Sequence, residues 1–274
     1  MIRLGLIGDN ISQSRAWRLH TLAGELCGLE VVYENLIPAE LGKDFDGVFD
    51  HCQSGGYRAI NITHPYKETV MARLATATDA ALKIGAANTV VFGADGPAGC
   101  NTDASGFEAA FRANFPGEKP GAAALIGAGG AGRAVGYALL MLGATELRVF
   151  DIDERRANGL VAALRAVGSQ TVVVNCPTID LAAKDADGLV NCTPIGMNGY
   201  PGNPIAAEHI PGKRWAFDAI YTPEETEFLH SARAAGLSVM TGFELFFYQG
   251  LDGFAVFTGR AVPAERLRRG LRGA

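Results

Sequence analysis

The stretch Ala123-Ala124-Leu125-Ile126-Gly127-Ala128-Gly129-Gly130-Ala131-Gly132-Arg133 decides the fold. Its apolar start predicts a strand buried on both faces of a sheet. The glycines that follow predict a tight turn into an apolar helix over Gly130–Leu142. In that strand–turn–helix setting the pattern is G-x-G-x-x-G, the arrangement of a dinucleotide-binding turn. Gly127 permits the turn, Gly129 lets a pyrophosphate approach the backbone, and Gly132 lets the helix pack on the strand. The first amides of the helix and its positive dipole end then face the phosphates. Gly127, Ala128, Gly129, Gly130 and Ala131 are the predicted cofactor contacts. Asp151 ends the next predicted strand, where a carboxylate can accept from ribose hydroxyls and repel a 2′-phosphate. NAD is therefore favoured over NADP. The plainer alternative is a glycine-rich turn without a ligand, with Asp151 capping a helix.

Outward from this stretch, short apolar runs alternate with helical patterns. The predicted strands are Leu4–Ile7, Val31–Asn35, Ala59–Ile62, Thr89–Phe92, Ala123–Ile126, Leu147–Phe150, Thr171–Val174, Gly188–Val190 and Trp215–Asp218. Helices are predicted over Gly130–Leu142 and Asp153–Val167. The alternation specifies an α/β fold with right-handed crossovers and buried, parallel strands. Prolines and glycines crowd into Asn114–Gly121, which reads as a loop leading into a second unit. The aromatic run Phe243–Phe257 is too long for a strand and predicts a buried helix folding back over the first unit. The expected division is residues 1–104 with 240–274 as one domain, and 105–239 as a Rossmann domain.

Composition narrows the function classes. The chain has 274 residues, 48% hydrophobic and 19% charged, which excludes intrinsic disorder. The net charge of −5 gives no basic footprint for nucleic acid or an anionic membrane. No apolar stretch is long enough to span a bilayer. The opening Met1–Asn10 segment reads as a buried strand rather than a signal peptide. Cys27, Cys52, Cys100, Cys176 and Cys192 are scattered, so neither a disulfide framework nor a metal site is expected, and a cytoplasmic setting fits.

Three polar motifs lie beside predicted strands in the first unit. They are Asn61-Ile62-Thr63-His64-Pro65-Tyr66-Lys67, Gly85-Ala86-Ala87-Asn88-Thr89 and Asn101-Thr102-Asp103. Ligands of α/β sheets bind where strands end. A metal-free alcohol oxidation needs a group to take the hydroxyl proton, and a lysine beside an aspartate can serve. From spacing alone, Lys67 could equally be a solvated loop charge.

These motifs, with Gly127–Ala134, Asn191-Cys192-Thr193-Pro194-Ile195-Gly196-Met197 and the late Gly242–Gln249, occur in an order that resembles the shikimate/quinate dehydrogenase family along nearly the whole chain. The resemblance implies an N-terminal α/β substrate domain completed by C-terminal helices, with an NAD(P) domain between. It implies reversible oxidation of a ring hydroxyl of shikimate or quinate to the 3-dehydro ketone. Lys67 then corresponds to the family's catalytic lysine and Asp103 to its partner. Thr63, Asn88 and Gln249 correspond to groups that bind ring hydroxyls and carboxylate, and Tyr221 to a tyrosine at the cleft. Thr193 and Gly242 fall where members touch the nicotinamide half. NADP-using members carry an Asn-Arg-Thr pattern after the second Rossmann strand. Asp151-Ile152-Asp153 stands here instead, with Arg156 placed to flank the adenine, and this resembles NAD-using members.

The N-terminal motif departs from the family. Ser14 matches the first of two hydroxyls that hold the substrate carboxylate, but Ala16 replaces the second and Trp17 replaces a proline. Either Arg15 or Arg18 supplies the missing grip, or the substrate differs. His20 and His64 are expected to be structural hydrogen-bonding groups. The leading expectation is an NAD-dependent shikimate/quinate-type dehydrogenase, monomeric or homodimeric, acting on a small cyclitol carboxylate. A modified cyclitol acid as substrate and a non-catalytic NAD-binding sensor are the alternatives.

Overall fold

A computed structural model describes residues 1–273 in two compact units. The first comprises Met1–Thr102 and the segment from Gln249 onward; the second comprises Asp103–Tyr248. In the first lie β1 (Ile2–Ile7), α1 (Ala16–Leu26), β2 (Val31–Leu36), α2 (Phe45–Ser54), β3 (Ala59–Ile62), β4 (Thr76–Ala77), α3 (Asp79–Ile84), β5 (Thr89–Gly93) and β6 (Gly96–Cys100). Helix α4 (Thr102–Asn114) leads into the second unit. There follow β7 (Ala122–Ile126), α5 (Gly130–Met141), β8 (Glu146–Phe150), α6 (Glu154–Ala166), β9 (Val172–Asn175), α7 (Ile179–Ala183), β10 (Gly188–Asn191), β11 (Trp215–Asp218), α8 (Glu227–Ala234) and β12 (Ser238–Met240). Helix α9 (Gly242–Thr258) returns the chain to the first unit, which α10 (Ala264–Arg272) completes. Both divisions of the chain thus fall within helices, between Thr102 and Asp103 and between Tyr248 and Gln249. The aromatic run that looked like one buried element is one helix shared by both units.

The second unit is an all-parallel sheet in the order β12-β11-β10-β7-β8-β9. This is the doubly wound Rossmann order, and the chain reverses direction across the sheet between β7 and β10. Continuous apolar runs suit strands covered on both faces. Ala124, Leu189 and Ala216 pack with Ala182, Phe228 and Leu229 from α7 and α8. Trp215 is fully buried, edge-on to Phe111, and its indole N–H donates to Pro120 O at 2.9 Å.

The first unit departs from the expected parallel sheet. Its order is β2-β1-β3-β5-β6-β4, and β5 runs antiparallel to both β3 and β6. Strands β4, β6 and β12 were not legible in the sequence. Strand β6 reads Gly-Pro-Ala-Gly-Cys, a composition that argues against a strand; pairing with β5 across a tight hairpin imposes the extended backbone. Its core places Val48, Phe49 and Cys52 of α2 against Ile60, Ile62 and Val90. Among the described residues, no helix is long and apolar enough to cross a membrane.

Candidate active site

In the second unit, the turn after β7 has the geometry its glycines require. Gly127 adopts φ +101°, a region closed to most side chains. A Cβ on Gly132 would lie 2.0 Å from Gly127 O, so only glycine lets α5 start this close to the strand. At Gly129, by contrast, an added Cβ would meet no protein atom within 4 Å. The turn therefore opens outward at the residue preceding α5, whose first amides have no partner within the helix. That combination of open cradle and helix N-terminus fits a pyrophosphate.

Asp151 follows β8 and accepts hydrogen bonds from Ala128 N at 2.7 Å and Asp153 N at 2.9 Å. Its carboxylate ties the turns after β7 and β8 together. The helix-capping role belongs to Asp153, which accepts from Arg155 N at 3.0 Å at the start of α6. Ile152 is 96% exposed, and Arg156 is also exposed in the first turn of α6. Thr193, just after β10, donates through its backbone N and Oγ1 to Asn191 Oδ1, at 2.9 and 2.7 Å. Strands β7 and β10 are neighbours, so Thr193 and Gly127 stand at adjoining strand ends, at the point where the sheet order reverses. Tyr221 stacks on Phe246, with ring centroids 5.0 Å apart. Gly242 opens α9 against the Ile220 peptide.

In the first unit, β1 and β3 run parallel and end together, while antiparallel β5 begins at that same end. This brings the loop carrying Ser14, the segment Thr63–Lys67 and Asn88 to one edge of the sheet. The loops are tied to each other: Thr63 N donates to Ile7 O, Asp9 N to His64 O, and Tyr66 Oη to Asp9 Oδ1 at 2.9 Å. Ala87 N donates to Lys67 O at 2.9 Å, fixing the lysine backbone beside Asn88. Lys67 is partly exposed, and Asp103 is buried in the first turn of α4.

A buried polar network lies behind this edge, and the sequence reading missed it. Asn88 Oδ1 accepts from Thr102 N at 2.7 Å, so a side chain from the residue just before β5 caps α4 directly ahead of Asp103. Asn88 Nδ2 donates to Thr102 Oγ1 at 3.0 Å, and Thr89 Oγ1 donates to Asn88 Oδ1 at 3.0 Å. Asn61 Nδ2 donates to Asn88 O and to Thr89 Oγ1, and Tyr33 Oη donates to Asn61 Oδ1 at 2.9 Å. Gly253 of α9 faces the same group, its added Cβ 3.8–4.0 Å from His20, Asn61 and Thr102. Gln249 lies one turn earlier on that face of the helix. The sequence signal for the network is a polar residue inside or bordering a strand: Asn61 within β3, Asn88 just before β5 and Thr89 at its start, and Thr102 after β6.

The N-terminal motif corrects one expectation. Arg15 Nη2 donates to Leu271 O at 2.7 Å and Arg18 Nη2 to Gly270 O at 2.8 Å. Both guanidinium groups satisfy the last carbonyls of α10, which have no partner within the helix. They anchor the C-terminal helix and are not placed as a substitute carboxylate grip. Ser14 Oγ accepts from Ala16 N at 3.3 Å, closing the turn into α1, while Trp17 is 51% exposed.

The two histidines also differ. His64 is exposed, and its backbone carbonyl, not its ring, holds the turn. His20 is buried, stacks on Tyr33 at 4.9 Å, and hydrogen-bonds Asn61, with Nδ1 left unpartnered. Burial pushes its pKa down to about 3, so the ring is neutral. In the second unit, burial raises Asp218 to about 6 against three hydrogen bonds that favour its ionised form.

The folds define a two-unit α/β protein with a Rossmann dinucleotide-binding unit. Residues 6–90 match the family model described as the shikimate dehydrogenase substrate binding domain. The chain is 37% identical to the quinate/shikimate dehydrogenase (NAD(+)) of Corynebacterium efficiens, over 97% of this chain and 96% of that one. It is 38% identical to the shikimate dehydrogenase (NADP(+)) of Pseudarthrobacter chlorophenolicus, over 97% and 92%. Its structure is similar to that of quinate dehydrogenase from Corynebacterium glutamicum in complex with NAD, with a TM-score of 0.91, 36% identity, and 100% and 99% of the two chains covered. The chain belongs to the shikimate/quinate dehydrogenase family.

Proposed function

We propose that the protein is an NAD-dependent oxidoreductase that interconverts shikimate or quinate with the 3-dehydro ketone, using Lys67 and Asp103 as its proton-transfer pair. The observation that carries this reading is the strand-end cluster of Ser14, Thr63, Lys67 and Asn88, with the Asn88 cap setting the first turn of α4 and hence Asp103. Oxidation of a hydroxyl removes its proton and, from the carbon, a hydride. Lys67 Nζ takes the proton, and the Asp103 carboxylate orients the amine and stabilises the ammonium that results. A bound dinucleotide supplies the hydride acceptor. Thr63, Asn88, Tyr221 and Gln249 bind the ring substituents, and Ser14 donates to the carboxylate. Gly127, Ala128, Gly129, Gly130 and Ala131 hold the pyrophosphate, Asp151 the ribose, Arg156 the adenine flank, and Thr193 with Gly242 the nicotinamide half. In this reading the first unit binds substrate, and the protein works in the cytoplasm. NADH formation on a panel of shikimate, quinate and related cyclitol acids tests it. Tight dinucleotide binding without turnover on any of them would instead make the protein a sensor.

The cofactor preference rests on Asp151. Its carboxylate is fixed by two backbone amides at the ribose end of the turn, so a 2′-phosphate would meet a held negative charge. The expected result is a higher kcat/KM with NAD than with NADP, and a narrower gap in Asp151→Asn. Equal or better use of NADP by the unaltered protein would refute the preference.

A second expectation concerns substrate affinity. With Arg15 and Arg18 committed to α10, Ser14 is the donor that the motif retains. A carboxylate entering a partly dry site needs donors in place of water. Ala16→Ser should lower KM for shikimate or quinate by roughly 10- to 150-fold, equivalent to one charge-assisted hydrogen bond of about 1.5–3 kcal/mol. If the serine leaves KM unchanged, a modified substrate becomes the better reading.

A further inference from the structure

At the C-terminal edge of the second unit's sheet lies a buried carboxylate that the proposed chemistry does not use. Asp218 ends β11 and is fully buried, as is Asn191, its register partner at the end of β10. Asp218 Oδ1 accepts from Asn191 Nδ2 and from Ile220 N, both at 3.0 Å. Asp218 Oδ2 accepts from Thr226 Oγ1 at 2.7 Å, and the same hydroxyl caps α8 by accepting from Leu229 N. All of these partners are neutral. A carboxylate held without a cation is costly to bury compared with an apolar side chain. What it secures here is three chain segments at one point.

The first segment is the turn after β10. Asn191 reaches it with both ends of its amide: Nδ2 donates to Ile195 O, and Oδ1 receives Thr193 N and Oγ1. The second is the turn after β11, held through Ile220 N. A Cβ on Gly242 would lie 2.2 Å from Ile220 O, so the start of α9 rests directly on that peptide. The third is the segment before α8, where Glu224 also accepts from Thr241 Oγ1 at 3.0 Å, next to Gly242. One carboxylate therefore sets the positions of Thr193 and Gly242 relative to each other.

We propose that Asp218 is a positioning residue that holds Thr193 and Gly242 in register for the nicotinamide half of the cofactor; this rests on the proposed nicotinamide contacts of those two residues. It acts through Asn191, Ile220 and Thr226 and touches no reacting atom. Asparagine at 218 can still accept from Asn191 and Ile220 and can donate to the Thr226 hydroxyl, so it preserves the arrangement without the charge. Alanine cannot.

The test compares binding of NADH with binding of ADP-ribose, which lacks the nicotinamide, in the full-length protein. The unaltered protein is expected to bind NADH more tightly. Asp218→Ala should weaken NADH binding roughly 10- to 100-fold, the loss expected when charged hydrogen bonds that place a contact are removed. ADP-ribose affinity should be unchanged, and Asp218→Asn should behave nearly as the unaltered protein. Thr226→Val keeps side-chain volume and removes one of the three bonds; it should show the same selective loss, rescued by Thr226→Ser, and it decides the matter if Asp218→Ala fails to fold. Variants that keep the NADH advantage, or that lose both ligands in parallel, would overturn the positioning role. Equal affinity of the unaltered protein for the two ligands would overturn the nicotinamide assignment and the proposal with it. Because binding is read rather than turnover, inactivity on the substrate panel leaves this comparison intact.

Discussion

Lys67→Ala is expected to lower kcat by about 10²–10⁴-fold, the range for loss of a positioned acid–base group. The side chain sits on the segment after β3, with its backbone carbonyl held by Ala87 N beside Asn88. In the proposed mechanism the lysine touches substrate rather than cofactor, so dinucleotide affinity should hardly change. Lys67→Arg should be nearly as inactive, because a guanidinium stays protonated and cannot accept the hydroxyl proton. Asp103→Asn should also slow turnover, and the double variant should cost far less than the product of the two, since the residues act as a unit. Single-turnover rates with saturating substrate and cofactor give the comparison. A Lys67→Ala protein with near-normal turnover would remove the lysine from the mechanism, and additive losses would break the pairing.

Acid is expected to destabilise the first unit strongly through His20. The imidazole has an ordinary pKa of 6.5 when unfolded and about 3 when folded, because burial against Tyr33, Phe254 and Phe257 penalises the charged ring. Between those values the unfolded chain holds the proton and the folded chain does not, so stability falls as pH drops through this window. The slope is about 1.4 kcal/mol per pH unit, and the whole window is worth about 5 kcal/mol. Asp218 works in the opposite direction. Its folded pKa of about 6 lies above the usual 3.8, so its contribution to stability is lost as pH rises between those two values. The His20 share is isolated by urea unfolding of the unaltered protein and His20→Phe from pH 7 to 4. The difference between them should shift steadily in favour of the variant as pH falls. A constant difference would show that His20 titrates normally in the folded protein. NMR of the imidazole ring gives the same answer where His20→Phe is poorly folded: the ring should stay neutral to below pH 4.

The sequence by itself determined the Rossmann unit. Its strands are covered on both faces, so each appears as an unbroken apolar run, and its turn needs glycine for reasons local to a few residues. The expected strand Ala123–Ile126 and helix Gly130–Leu142 lie within a residue of β7 and α5 at each end. Asp151 was equally legible, because the acid that closes the second strand is placed by the strand itself.

Tertiary structure decided what depends on pairing between distant segments. Strand β6 is glycine- and proline-rich and becomes a strand only because β5 offers it a ladder. Arg15 and Arg18 resemble anion-binding groups in sequence, but α10, more than two hundred residues later, presents carbonyl oxygens that claim both. The Asn88 cap on α4 and the Asn191–Asp218–Thr226 cluster follow the same logic. A buried polar group takes whichever complementary partner the fold delivers, and a hydrogen bond carries no trace in sequence spacing when its two ends come from different strands. Periodicity and turn chemistry are properties of neighbours along the chain; the satisfaction of buried polar atoms is a property of neighbours in space.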